Sequence, residues 1–203
     1  MPRTSPLATL GPVRASIAVA FVLAMCLGCG PKLPPRYVIE SDLAGFHYRR
    51  YQKVLDVELP LPENQAVGHT ATYVQGGEPP KIVPVFVTRY QRAGGLTESI
   101  RQRLRAMDSY ALDVLKLARE NVWHLRGESG DVWLLWVSGS QLVKIGAPEG
   151  DPRVPPPLVE AYLELYPSDL DRKGRVKRGA SSAGPAVTAD ATLELKKREG
   201  AHE

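Results

Sequence analysis

Cysteine is almost absent from this 203-residue chain: there are two, Cys26 and Cys29, both within the first 30 residues. Beyond Cys29 there is no thiol left to pair, so a domain built from the rest must hold by packing rather than by disulfides. Histidine is scarce as well, at four residues. His47, His69 and His124 precede the C-terminal tail, and no two stand four apart, the spacing that sets two metal ligands on one helix face. No HExxH, GxSxG, P-loop or GxGxxG pattern occurs, so motifs imply no enzyme class, metal or cofactor. An excess of one charge sign is missing too. The chain carries +4 at pH 7, but residues 171–203 hold eight basic and five acidic side chains, and residues 29–170 hold 16 and 17. The central region therefore offers no electrostatic footprint for nucleic acid. Nor is there an apolar run long enough to cross a bilayer. Ala15–Leu27 is thirteen residues without charge or proline, roughly 20 Å of helix, where about 20 residues are needed.

That run, with Arg3 and Arg14 on its N-terminal side, has the layout of a secretory signal peptide. Ile17, Val19, Phe21, Val22 and Leu23 leave it no polar face, which speaks against a half-buried helix. It ends in Leu23-Ala24-Met25-Cys26-Leu27-Gly28-Cys29-Gly30. This resembles the lipobox of bacterial lipoproteins, where the cysteine follows a small residue and an apolar one; the resemblance covers residues 1–30 alone. Two registers compete. Cys29 has small Gly28 before it, but Cys26 stands where the family usually has leucine. Cys26 has Leu23 in that place, but bulky Met25 directly before it. The residue next to the cut is the stricter requirement in the family, so Cys29 is favoured over Cys26. The resemblance implies a diacylglycerol thioether on Cys29, cleavage before it and acylation of the freed amine. One acyl chain binds a membrane only marginally, whereas two or more hold durably. Gly30 rather than aspartate resembles outer-membrane sorting in a Gram-negative cell, with the domain facing the periplasm. Ordinary secretion with a free thiol is the alternative.

Residues 29–40 read as the lipidated cysteine and a Pro-rich tether, and residues 41–170 as one α+β domain. The expected fold is an antiparallel sheet of about six or seven strands with a middle helix at about 96–108 and a C-terminal helix at about 157–166. Strand signals run through Phe46–Leu59, Ala66–Val74, Lys81–Tyr90, Asn121–Arg126, Asp131–Ser138 and Leu142–Ile145. Pro84 cannot donate to a ladder and suggests a sheet edge or a bulge. Thr97 is the candidate N-cap of the middle helix, whose stripe is Ile100, Leu104 and Met107. Residues 110–118 stay open: Ala111, Leu115 and Ala118 continue that stripe, whereas Tyr110, Leu112 and Val114 alternate. A turn at Asp108-Ser109 favours the strand. A four-residue loop after Arg126 would set Arg126 opposite Asp131, His124 opposite Trp133 and Trp123 opposite Leu134. Val132–Val137 is apolar throughout and reads as a central strand covered on both faces. Residues 171–203 have few large aliphatic side chains and read as a disordered basic tail, densest at Arg172–Arg178.

Trp133 and Trp136 are the candidates for a ligand-binding platform, although tryptophans among Leu and Val on interior strands more commonly belong to a core. His124 reads as a sheet residue packed on an aromatic, and the carboxylates are dispersed. The functional expectation is a lipid-anchored cell-envelope lipoprotein acting by non-covalent binding, as an accessory or structural component. It would need no cofactor, metal or nucleic acid, and an envelope protein is its candidate partner. Two alternatives stand beside it: a periplasmic carrier of lipid or another hydrophobe, and a hydrolase whose site has no signature. A pocket lined by Trp133 or Trp136 would speak for the carrier, and a cleft joining a histidine to a carboxylate for the hydrolase.

Overall fold

The computed structural model describes residues 33–178. Cys26, Cys29 and the start of the tether lie outside the described residues, as do residues 179–203. Seven segments of alternating side chains become strands: β1 (His47–Val54), β2 (Ala66–Gln75), β3 (Lys81–Tyr90), β4 (Tyr110–Leu117), β5 (Glu120–Gly127), β6 (Val132–Ser138) and β7 (Gln141–Gly146). They form one open antiparallel sheet in the order β1-β2-β3-β7-β6-β5-β4. Two meanders thus meet where β3 pairs with β7, Val87 standing opposite Val143. Helix α1 (Leu96–Arg105) leads from one meander to the far edge, and α2 (Pro156–Leu165) follows β7.

Period-two alternation divides the sheet into two apolar faces. One carries Tyr73, Val85, Val87, Val143, Ile145, Leu134 and Trp136, all buried, and receives α2 through Leu158, Val159 and Tyr162. There Tyr73 Oη and Tyr162 Oη meet at 2.9 Å, and Tyr162 Oη also accepts the Ile39 N–H at 3.0 Å. Burial pushes the Tyr73 phenol up to about 12, so these hydroxyls stay neutral at physiological pH. The opposite face carries Trp123, Leu125, Leu135 and Leu142, with Leu104 of α1 packed near Leu125 and Leu135. Interior strand β6, between β5 and β7, is therefore apolar on both sides, one place from the centre of the sheet, which β7 holds.

The α+β class expected from the sequence is overturned. Among the described residues the sheet dominates, and the helices are two ten-residue covers. α1 ends at Arg105 rather than near 108, because the Ala106 and Met107 N–H groups turn back to Gln102, Arg103 and Leu104. Its N-cap is Gly95, and Thr97 is buried in the first turn. The following segment joins the sheet, pairing with β5 from Tyr110 opposite Gly127 to Leu117 opposite Glu120. Pro84 sits in an interior strand, but just past Val85–Ile145, the last pair β3 makes with β7. Its missing N–H falls where β3 has a single neighbour, which makes the proline tolerable.

The β5–β6 hairpin is one residue out from the expected register. Gly127 donates to Asp131 O at 2.8 Å and Gly130, at φ +86°, donates to Gly127 O, which leaves three loop residues instead of four. His124 consequently faces Leu134, and Trp123 faces Leu135. Gly127 is required for a different reason: a Cβ there would stand 2.0 Å from Asp131 Oδ1. That carboxylate gathers Tyr110 Oη and Trp133 Nε1, each at 2.8 Å, and pins the turn.

Order also continues past Asp171, the expected start of the tail. Leu170 and Val176 form a bridge, Lys177 Nζ donates to Glu120 Oε2 at 2.5 Å and to Ser168 O at 2.6 Å, and Gly174 lies over Trp123 and Val114. Part of the basic cluster thus closes the α1 face. Ending the chain after Leu170 should uncover Trp123, now 1% exposed, and lower stability by about 1.5–3 kcal/mol relative to ending it after Arg178. Urea unfolding of the two truncations measures this; equal midpoints would show that the segment contributes nothing.

Candidate functional site

Trp133 and Trp136 are three apart on β6 and so leave it on opposite faces. Trp136 is 0% exposed and its Nε1 donates to Tyr166 O at 2.7 Å. Trp133 is half-buried; Lys144 Nζ stands 3.7 Å from its ring centroid and Phe86 packs beside it at 6.1 Å. The gap Trp133 shares with Leu104 and Leu135 is about 50 Å³, room for a water or two. The structure does not bring these two side chains together on one ligand.

A larger space lies elsewhere. On the α2 face, between β4–β6 and the loop that leads into α2, opens a cleft of about 620 Å³. Val132, Leu134 and His124 line it from the sheet, Leu115 and Leu117 from edge strand β4, Val154 and Val159 from the loop and α2, and Phe46 from the entry to β1. Prolines 152, 155, 156 and 157 stiffen the outer wall and cannot extend α2 upstream. The loop is tied down by Asp151, which accepts from Lys81 Nζ and the Arg153 N–H, each at 3.0 Å. The Lys81 hydrogen bond is the first reason the Asp151 carboxyl sits below the usual range. Burial pushes His124 below the ordinary histidine value, with Arg126 adding to it, so the imidazole is neutral at pH 7. The nearest carboxylate, Asp113, is itself tied to Arg126 at 2.6 Å. Volume and lining match sites for small apolar ligands, which run about 300–1,000 Å³ with a few polar groups among apolar walls.

The remaining histidines lie apart from this cleft. His47 Nδ1 and Asp42 Oδ2 meet at 2.8 Å, but both side chains are more than half exposed, and Asp42 also caps the Tyr48 N–H. His69 Nδ1 bonds Tyr51 Oη at 2.9 Å. Among the described residues, no three His, Cys, Asp or Glu side chains are grouped to hold a metal. No protein family, curated protein or solved structure matches this chain. What the cleft does must follow from its own chemistry. Its lining comes from segments far apart in sequence, and the one local signal is the proline density between Pro148 and Pro157.

Proposed function

We propose that this chain is a cell-envelope lipoprotein, held on a membrane through Cys29, whose domain binds a lipid or another apolar small molecule without covalent chemistry. The cleft is the observation that carries the binding half of this reading. Its walls are largely apolar and its histidine is neutral; of the charged side chains that line it, Asp151 pairs with Lys81 and Arg153, and Glu160 is exposed to solvent. Desolvating an apolar occupant there would leave no buried charge unpaired. The tether supports the same reading: Tyr37 and Ile39 are fastened to α2 through Tyr166 and Tyr162, and the first turn of α2 borders the cleft. A lipid anchor at Cys29 would therefore keep the cleft close to a source of hydrophobes.

Leu115 is 37% exposed at the wall, so Leu115→Arg should fold while placing a charge in the binding space. Protein produced without its first 29 residues should bind a fluorescent fatty acid at one site. Leu115→Arg should weaken that binding at least about tenfold, the order expected when an unpaired charge meets an apolar ligand. Trp133→Ala should leave it unchanged. Equal affinity in Leu115→Arg, or uptake that never saturates, would remove the cleft from the account. An accessory role toward an envelope protein is the second reading, favoured by Leu115, an exposed leucine on the edge strand β4.

A further inference from the structure

The β1–β3 half of the α2 face holds a second recess, of about 390 Å³ and of opposite character, lined by Tyr37, Lys53, His69 and Arg89. Lys53, His69 and Val87 stand side by side across β1, β2 and β3, and Arg89 follows two residues after Val87 on the same face. Arg89 is half-buried, its guanidinium 5.4 Å from the Tyr37 ring centroid. The nine ion pairs among the described residues include neither Lys53 nor Arg89. Two cations thus share a recess with no carboxylate between them.

The groups around them are arranged for a guest. His69 is 8% exposed and its Nδ1 lies 2.9 Å from Tyr51 Oη; in the tautomer that accepts from Tyr51, Nε2 carries the proton and is a donor. Burial first, then Lys53 and Arg89, pushes its pKa below the ordinary histidine value, and no carboxylate offsets them. The other groups facing it are Tyr37, whose ring centroid is 4.8 Å away, and Tyr51, over which Arg36 stacks. Tyr37 itself has φ +61°, a conformation that L-residues with a side chain rarely adopt. Bonds from its N–H to Pro34 O and from Tyr166 Oη to its carbonyl hold it there. Strain of this kind, kept in place by surrounding structure, collects at binding sites.

We propose that this recess binds a phosphate-type oxyanion, with Arg89 and Lys53 supplying charge, His69 Nε2 a hydrogen bond and Tyr37 the wall. A guanidinium gives two parallel donors to such an oxyanion, and the guest relieves the repulsion between the cations. The phosphate has two sources, a phospholipid headgroup or a free phosphate compound. Seven residues lie between Cys29 and Tyr37, a reach of at most roughly 29 Å at ~3.6 Å per residue, so an acylated Cys29 would bring headgroups within reach.

Calorimetric titration of the full-length protein in a non-ionic detergent tests this with two probes: inorganic phosphate, and dihexanoyl phosphatidylglycerol below its micelle concentration. Inorganic phosphate should bind at one site. Arg89→Gln should weaken it at least about tenfold, the order for one charge-assisted contact, and Lys53→Gln several-fold, while Lys116→Gln on β4 should change nothing. Tighter binding of the short lipid, lost in Arg89→Gln but kept in Leu115→Arg, would assign the membrane source; preference for inorganic phosphate would assign the free one. Absence of saturable phosphate binding overturns the proposal, as does undiminished affinity in a folded Arg89→Gln. If Arg89→Gln does not fold, Lys53→Gln decides, because that side chain is exposed; unchanged affinity there counts against the site.

Discussion

Cys29→Ser is expected to abolish acylation and release the protein from the membrane. The transfer that the lipobox resemblance implies makes a thioether, and a serine oxygen is not the nucleophile it uses. The effect should be close to all-or-none. Each buried methylene contributes ~0.8 kcal/mol, so two or three acyl chains hold firmly and their joint loss leaves nothing comparable. Cys26→Ser should change little, since the cleavage before Cys29 that the resemblance implies would remove that residue with the signal. Labelling cells with an alkyne fatty acid and fractionating the membranes measures both variants. Label retained on Cys29→Ser and lost on Cys26→Ser would move the anchor three residues upstream; label retained on both would end the lipoprotein reading.

Strand positions were legible in the sequence because alternation is local: Ala66–Val74 and Lys81–Tyr90 show their burial period within a few residues, and β2 and β3 follow it. The class was not legible. Residues 110–117 carry a helical stripe and a strand alternation at once, and only pairing along β5 decides for the strand. The β5–β6 register turned on one loop residue, because a four-residue and a three-residue loop fit the same Gly-Glu-Ser-Gly stretch; the Gly127–Asp131 pair selects the shorter. The C-terminal boundary failed for a related reason. Residues 171–178 lack apolar bulk of their own, and they are ordered by what they cover, Trp123, and by what Lys177 reaches, Glu120.

The two recesses were less visible still. Each draws its lining from strands that meet only in the sheet: Leu115 with Leu134 in one, Lys53 with Arg89 in the other. They also share a face yet divide its chemistry. The cleft at β4–β6 is largely apolar, with Asp151 on its wall paired to Lys81, and the recess at β1–β3 is cationic, with Lys53 and Arg89 in none of the ion pairs among the described residues. An amphiphile has this polarity, but the two sites are tested by separate substitutions, Leu115→Arg and Arg89→Gln, so either can fail alone.

Trp136→Ala should be the most damaging substitution in the described domain. The indole is fully buried on the α2 face, its strand neighbour on β7 is Val143, and its Nε1 satisfies the carbonyl of Tyr166 at the end of α2. Emptying a buried aromatic site costs about 3–5 kcal/mol, and a carbonyl left without its donor adds about 1–3 kcal/mol where water cannot replace it. Against a typical total of about 5–15 kcal/mol, that places the variant near or below the threshold for folding at 37 °C. Trp136→Phe separates the two contributions, since it keeps most of the bulk and removes the donor. Trp133→Ala is the comparison, because Trp133 is half-buried under Lys144 and its loss should cost clearly less. Urea unfolding of the three variants, with the slope unchanged, gives the differences. A ligand platform predicts the reverse pattern: intact midpoints and lost fatty-acid binding for both tryptophans. A Trp136→Ala shift worth less than about 1 kcal/mol would show that this side chain does not sit in the core between β6 and α2, and the two-faced reading of β6 would go with it.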